Sequence, residues 1–182
     1  MDDKNKNAIE IYNLIAKDYA KTFDPIESED DLKFPNMFLS HLKSGSNILD
    51  LGCGTGFSTA YFVKKGMKAQ GIDLSTNMIE IAQKKYPNLA FSVADMRIFR
   101  PNEMVDAVWA GYSLFHFEQI YLEKTIENIK SYLRPGGIFG LVIQGGSGEI
   151  EPPEPFLPEK TIYIHLYTKE EMTAILTKHG FE

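Results

Sequence analysis

Short apolar runs alternate along this chain with longer stretches whose apolar residues return at helical spacing. The runs predict strands at 47–51, 68–72, 89–94, 105–110 and 138–143. The longer stretches predict helices at 57–65, 76–86, 118–133 and 168–179, with a loop or short turn at 97–103. An alternation of this kind builds a parallel sheet with helices on both faces. Runs as unbroken as AVWA and IFGLVI suit strands covered on both sides. Ahead of this pattern, residues 7–21 place Ile11, Leu14, Ile15 and Tyr19 on one helical face. A second helix is predicted over 31–43, with Pro35 near its start and Ser44-Gly45 after its end. An acidic, turn-like stretch, DPIESEDD, lies between the two. The glycines and prolines of GGSGEIEPPEPFLPEK, residues 145–160, predict an exposed loop of unusual length, of the kind that serves as a lid.

The chemistry gathers where the first strand ends. NILDLGCGTG, residues 47–56, carries Asp50 and then glycines at alternate positions, Gly52, Gly54 and Gly56. A helical stretch follows at once, so strand, glycine turn and helix form the first half of a nucleotide-binding unit. The second strand ends in Asp73, roughly 20 residues after the glycines, where such folds keep a ribose-binding acid. A nicotinamide fingerprint reads G-x-G-x-x-G, with the pyrophosphate on the helix N-terminus. Here the spacing is G-x-G-x-G, and the Asp50 carboxylate beside the loop would repel a pyrophosphate. A cationic ligand suits it better, and S-adenosylmethionine has a sulfonium, an ammonium and no phosphate.

Composition narrows the classes. With 182 residues, 43% of them hydrophobic and 24% charged, the chain reads as one soluble globular domain. A net charge of −6 argues against a nucleic-acid partner held by phosphate contacts. Cys53 is the only cysteine, which rules out an intrachain disulfide. There is no apolar run of bilayer length, and MDDKNKNAIEIY lacks a signal-peptide core, so no membrane partner and a cytoplasmic location are expected.

YNLIAKDYAKTFD, ILDLGCGTGFST, GIDLSTNMIEIAQKK, ADM, DAVWAGYSLFHF and LRPGGIFGLVI together resemble, in order, the successive signatures of a class I S-adenosylmethionine-dependent methyltransferase. The opening segment and the S-x-x-M-I stretch look most like the small-molecule branch, which includes the quinone-biosynthesis enzymes. The resemblance implies a doubly wound, Rossmann-like α/β sheet of order 3-2-1-4-5. It implies a cofactor, S-adenosylmethionine, leaving as S-adenosylhomocysteine, and a small-molecule methyl acceptor. Residues 1–46 would form a helical cap and 47–182 the cofactor-binding domain. Gly52 and Gly54 would turn against the methionine part of the cofactor, and Asp50 would stand near its ammonium or cap the adjacent turn. Asp73 would accept from both ribose hydroxyls, with Ser75 left to cap the next helix. Leu74 and Met78 would flank the adenine, although Met78 also fits plain core packing. Asp95 would receive the adenine amino group and the amide of Met96 a ring nitrogen. Tyr19 would approach the cofactor carboxylate or simply pack its helix, with Tyr12 a second candidate for the same place. Cys53 and Ala110 complete the implied cofactor set. Cys53 lacks the electropositive setting of a reactive thiol.

No residue is assigned a catalytic role. His116 follows the fourth strand and has the pKa of a general base, yet an apolar-flanked histidine in LFHF equally suits a structural part. His165 and Tyr163 follow the long loop and could line the acceptor side. The histidines lie far apart in sequence, and no metal site is expected. The Asn- or Asp-Pro-Pro-aromatic motif of DNA amino-methyltransferases is absent after strand four, and no basic stripe is present. The family's strands six and seven would follow the last helix, where the sequence reaches Gly180-Phe181-Glu182; a truncated chain is expected, or an uncovered edge. Methyl transfer to a small molecule is the leading reading. A non-catalytic cofactor-binding module is the alternative, with a nicotinamide oxidoreductase behind it.

Overall fold

The computed structural model describes residues 3–24 and 31–182. Most of the acidic stretch read above lies outside the described residues. Helix α1 (Asp3–Phe23) and helix α2 (Lys33–Leu39) precede an alternation of β1 (Asn47–Leu51), α3 (Phe57–Lys64), β2 (Lys68–Asp73), α4 (Thr76–Lys85), β3 (Ala90–Val93), β4 (Val105–Gly111), α5 (Gln119–Tyr132) and β5 (Leu133–Val142). The five strands form one parallel sheet in the order β3-β2-β1-β4-β5. Strand β1 lies between β2 and β4, so the strand order reverses there and a crevice opens at the carboxyl ends, where such sheets bind ligands.

Alternation along the strands separates two cores. Leu49 and Leu51 of β1 join Val108 and Ala110 of β4 against Leu122, Ile126 and Ile129 of α5. On the other face Ile48, Ala107 and Trp109 pack against Tyr61 and Phe62 of α3. Phe38 of α2 sits in that second core, its ring 5.5 Å from Phe62 and 5.0 Å from Trp109. Helix α2 is therefore anchored on the sheet through Phe38.

Three elements differ from the sequence expectation. Leu14 is 63% exposed, because the buried stripe of α1 runs through Ala8, Ile11 and Ile15 instead. Strand β5 begins at Leu133, which pairs with Val105, whereas Ile138 pairs with Ala107; the Arg-Pro-Gly-Gly between them bulges out, which hid the first half of the strand. Residues 145–160 are not a plain loop. They contribute to two small antiparallel pairs, β6 (Gly148–Ile150) with β9 (Ile164–Leu166) and β7 (Pro153–Glu154) with β8 (Leu157–Thr161). Glycine and proline there mark tight turns, and backbone pairing does the rest. Helix α6 (Lys169–Lys178) closes the pattern behind a capping box between Thr168 and Glu171.

The cap over the crevice joins distant parts of the chain. Ala8, Ile11 and Ile15 of α1 pack with Phe115, Ile162 and Ile164. Asn7 donates to the Thr161 carbonyl at 2.9 Å, and Lys4 pairs with Glu149 at 3.0 Å. The side-chain oxygen of Asn13 accepts from the Ser75 hydroxyl at 2.8 Å and the Asn77 amide at 3.1 Å, which ties α1 to the start of α4.

Candidate active site

The floor of the crevice is built by the turn after β1. Gly52, Gly54 and Gly56 have φ of 69°, 53° and 86°, conformations that residues with a Cβ adopt only at a cost. The three glycines differ in what surrounds them. A Cβ on Gly52 would stand 2.3 Å from Cβ of Ser113, and one on Gly56 would stand 2.7 Å from the Phe91 ring. A Cβ on Gly54 would meet nothing within 4 Å. Gly52 and Gly56 thus let the turn pack against its neighbours, while Gly54 faces open space in which a ligand can lie.

Asp73 ends β2 at the same place. One carboxylate oxygen accepts from the Gly54 amide at 2.9 Å and the other from the Ser75 amide at 2.8 Å. Each oxygen keeps a further lone pair for a ligand hydroxyl. Burial raises the Asp73 pKa, and the amides of Ser75 and Gly54 oppose that rise. Ser75 caps α4 as expected, its hydroxyl oxygen accepting from the Met78 amide at 3.2 Å.

Asp50 is held differently from the turn-capping expectation. It is 2% exposed and takes the Thr59 hydroxyl at 2.6 Å, so a side chain of α3 satisfies it and not the amides of the glycine turn. Burial pushes its pKa up to about 7, with Thr59 pulling the other way. Near neutral pH Asp50 is only partly ionised, which weakens its repulsion of a pyrophosphate.

The crevice has two lobes that share Tyr19, Gly52, Gly54, Gly111 and Tyr112. Asp73, Leu74, Met78 and Met96 line the first, with Tyr12 and His116. Asp50 and Cys53 line the second, under Phe34, Phe57 and Trp109. The structure thus brings together nine of the residues named from sequence for the cofactor: Tyr19, Asp50, Gly52, Cys53, Gly54, Asp73, Leu74, Met78 and Met96. Asp95 and Ala110 stand apart from the lining. The Asp95 carboxylate is gripped by the Arg97 guanidinium at 2.8 Å and 2.5 Å. Burial raises the Asp95 pKa, but the Arg97 contacts outweigh it and hold the group below its ordinary value. Ala110 is fully buried in the sheet. Cys53 packs against Gly71, and burial pushes its thiol up, as befits a packed residue.

Four contributors were missed by sequence reading. Thr59 holds Asp50, Ser113 donates to the Leu51 carbonyl at 2.8 Å, Asn13 ties down the cap, and Tyr112 takes a left-handed φ of 55° at the end of β4. Asn13 and Ser113 act across 62 residues and Tyr112 through backbone strain, neither of which leaves a local signature, while Thr59 acts across 9 residues, from the next helix. Tyr12 and His116, read separately in the sequence, form a pair. The Tyr12 hydroxyl lies 2.9 Å from Nε2 of His116, and Nδ1 of His116 lies 2.8 Å from the Tyr163 carbonyl oxygen. Burial lowers the His116 pKa to about 4, while the Tyr163 carbonyl opposes the drop. Burial likewise drives Tyr12 upward, and Tyr19 to about 12.

Residues 48–137 match the family model described as a methyltransferase domain. The chain is 34% identical over 116 residues to trans-aconitate 2-methyltransferase of Enterobacter sp. (strain 638), covering 63% of this chain and 44% of that protein. It is 32% identical over 123 residues to demethylmenaquinone methyltransferase of Chlorobaculum parvum, covering 66% of this chain and 45% of that protein. The chain therefore spans less than half the length of these curated relatives. Among solved structures, the DhpI–SAH complex superposes with a TM-score of 0.77 at 22% identity, over 97% of this chain and 87% of that one, a likeness of fold.

Proposed function

The chain belongs to the class I S-adenosylmethionine-dependent methyltransferases, and from that membership we propose that it transfers a methyl group from S-adenosylmethionine to a small-molecule acceptor. The observation that carries this reading is Asp73 braced by the Gly54 and Ser75 amides beside the open face of Gly54. A braced carboxylate with spare lone pairs suits a ribose diol. The open glycine suits a chain laid along the backbone. Tyr19, on the floor of the cap, reaches both lobes, and Leu74 with Met78 supplies apolar surface for an adenine. Bound there, S-adenosylmethionine would supply a methyl carbon on a sulfonium leaving group.

The chain's own residues then have two tasks. The glycine turn and Asp73 fix the cofactor's position, and the cap excludes water from the reacting atoms. Alignment of this kind supplies roughly 7–11 kcal/mol of a barrier. Titration calorimetry tests the assignment: S-adenosylhomocysteine should bind and NAD should not. Binding of NAD with none of S-adenosylhomocysteine would overturn it. Cofactor binding without turnover of any acceptor would favour a binding module.

A further inference from the structure

The two lobes of the crevice share five residues. Three are glycines, Gly52, Gly54 and Gly111, and the other two are tyrosines, Tyr19 and Tyr112. The junction is therefore glycine backbone faced by aromatic side chains. Asp73 lines the lobe on one side of it and Asp50 the lobe on the other. Among the described residues, no lysine or arginine lines either lobe. With the ribose at Asp73 and the methionine chain along Gly54, the sulfur that joins them belongs at this junction. A sulfonium is a positive charge with no proton to donate. It forms no hydrogen bond to a carboxylate, and the negative face of an aromatic ring suits it.

Tyr112 is held at the junction at a cost. Among the described residues it is the only one other than glycine with a left-handed φ, 55°, a conformation that bulky side chains avoid. Its surroundings leave the backbone little room to relax. The Tyr112 amide donates to the Val142 carbonyl at 2.8 Å, and the Ser113 hydroxyl donates to the Leu51 carbonyl at 2.8 Å. A Cβ on Gly111 would stand 2.8 Å from Nε1 of Trp109. Glycine or asparagine would meet the conformation of residue 112 more easily. Packing returns little to the tyrosine: it is 56% exposed, and its described ring neighbour is Phe115, edge-on at 6.4 Å. Strain of this kind at a crevice points to a ligand that uses the side chain.

We propose that Tyr112 determines specificity for the charge of the cofactor: its ring faces the sulfonium and distinguishes S-adenosylmethionine from S-adenosylhomocysteine, whose sulfur is neutral. The proposal rests on the methyltransferase reading above. The π-face does this work and the hydroxyl takes no part. Methyl transfer removes the charge at sulfur, so the ring that retains the cofactor loosens its hold on the product.

The test needs no acceptor. Titration calorimetry on the whole chain compares S-adenosylmethionine with S-adenosylhomocysteine in the wild type and three variants. Tyr112→Leu should weaken S-adenosylmethionine roughly fivefold, the loss expected of one cation–π contact at a partly exposed site, and leave S-adenosylhomocysteine within about twofold. Tyr112→Phe keeps the ring and should keep both affinities. Asp50 and Asp73 are unchanged in every variant, so a change in the ratio belongs to the ring. Equal losses for the two ligands in Tyr112→Leu would make Tyr112 a mere wall of the crevice and overturn the proposal. So would a Tyr112→Phe that loses as much S-adenosylmethionine affinity as Tyr112→Leu. Tyr112→Asn suits the left-handed region and guards against misfolding. It should keep or raise the unfolding midpoint in urea while its affinity ratio falls as in Tyr112→Leu. A clearly lowered midpoint would show that local packing retains the tyrosine, and would also overturn the proposal. A wild type that binds neither ligand would instead overturn the methyltransferase reading itself, whereas two bound ligands with an unmoved ratio count against the role of Tyr112 alone.

Discussion

The floor of the crevice and its cap are built on different principles. The floor is backbone work: a glycine turn between adjacent parallel strands, with Asp73 fixed by two amides. The cap is side-chain work across great sequence distances. Asn7 reaches Thr161, Asn13 reaches Ser75, and Tyr12 reaches His116. Backbone devices hold a shared ligand part in a fixed place. Side-chain devices can be exchanged one at a time, which suits the half of a site that must recognise a particular acceptor.

The contrast is broken most severely within the floor. Gly52→Ala forces a left-handed alanine, costing about 1–2 kcal/mol, and drives its Cβ into Ser113. We expect the loss of cooperative unfolding or a strongly lowered midpoint in denaturant. Gly54→Ala meets no protein atom, so it should keep most of the stability and lose cofactor affinity in calorimetry. Equal damage to stability from both would refute the division of labour between the two glycines.

Asp73→Ala comes next. It removes a charged acceptor, a loss of about 1.5–3 kcal/mol, and should weaken S-adenosylhomocysteine binding at least tenfold with the fold intact. An unchanged affinity would reduce Asp73 to a brace for the turn.

A smaller effect concerns Asp50, whose folded pKa of about 7 lies above its ordinary 3.8. The folded state binds the extra proton, so its stabilisation is complete at low pH and is lost as pH rises through the folded value. Between pH 6 and 8 the wild type should lose roughly 1.4 kcal/mol of stability from this group alone. Asp50→Asn still accepts from Thr59 and should flatten that slope in urea titrations. A slope that survives the substitution would assign the effect to another group.

The smallest effect lies in the cap. Asn13→Ala removes the tie between α1 and α4, worth about 1 kcal/mol, and should hasten amide exchange in α1 while the sheet stays protected. Cofactor binding should slow exchange in α1 and in residues 148–166 together. If only the floor gained protection, the cap would not close on the ligand.

Much of the floor was legible in sequence because its signals are local. Alternating strands and helices, glycines at alternate positions and an acid at the end of β2 each act within a few residues of where they are written. The parallel sheet followed from the same pattern, since parallel strands need helical crossovers, whereas its strand order came from the family resemblance. Where several conformations suit the same residues, sequence reading stopped short. The strands within 145–166 pair through backbone groups that any residue carries, so glycine and proline were visible and their pairing was not. Leu14 and Ile11 look alike on a helical wheel, and only docking against Phe115 and Ile162 decided which of the two was buried. Tertiary structure also decided the state of the ionisable groups. Asp50 became a partly neutral acid by burial against Thr59. Tyr12 and His116, 104 positions apart, became one hydrogen-bonded pair. Desolvation and contact are properties of assembled space, and they set this chemistry after the order of residues had set the fold.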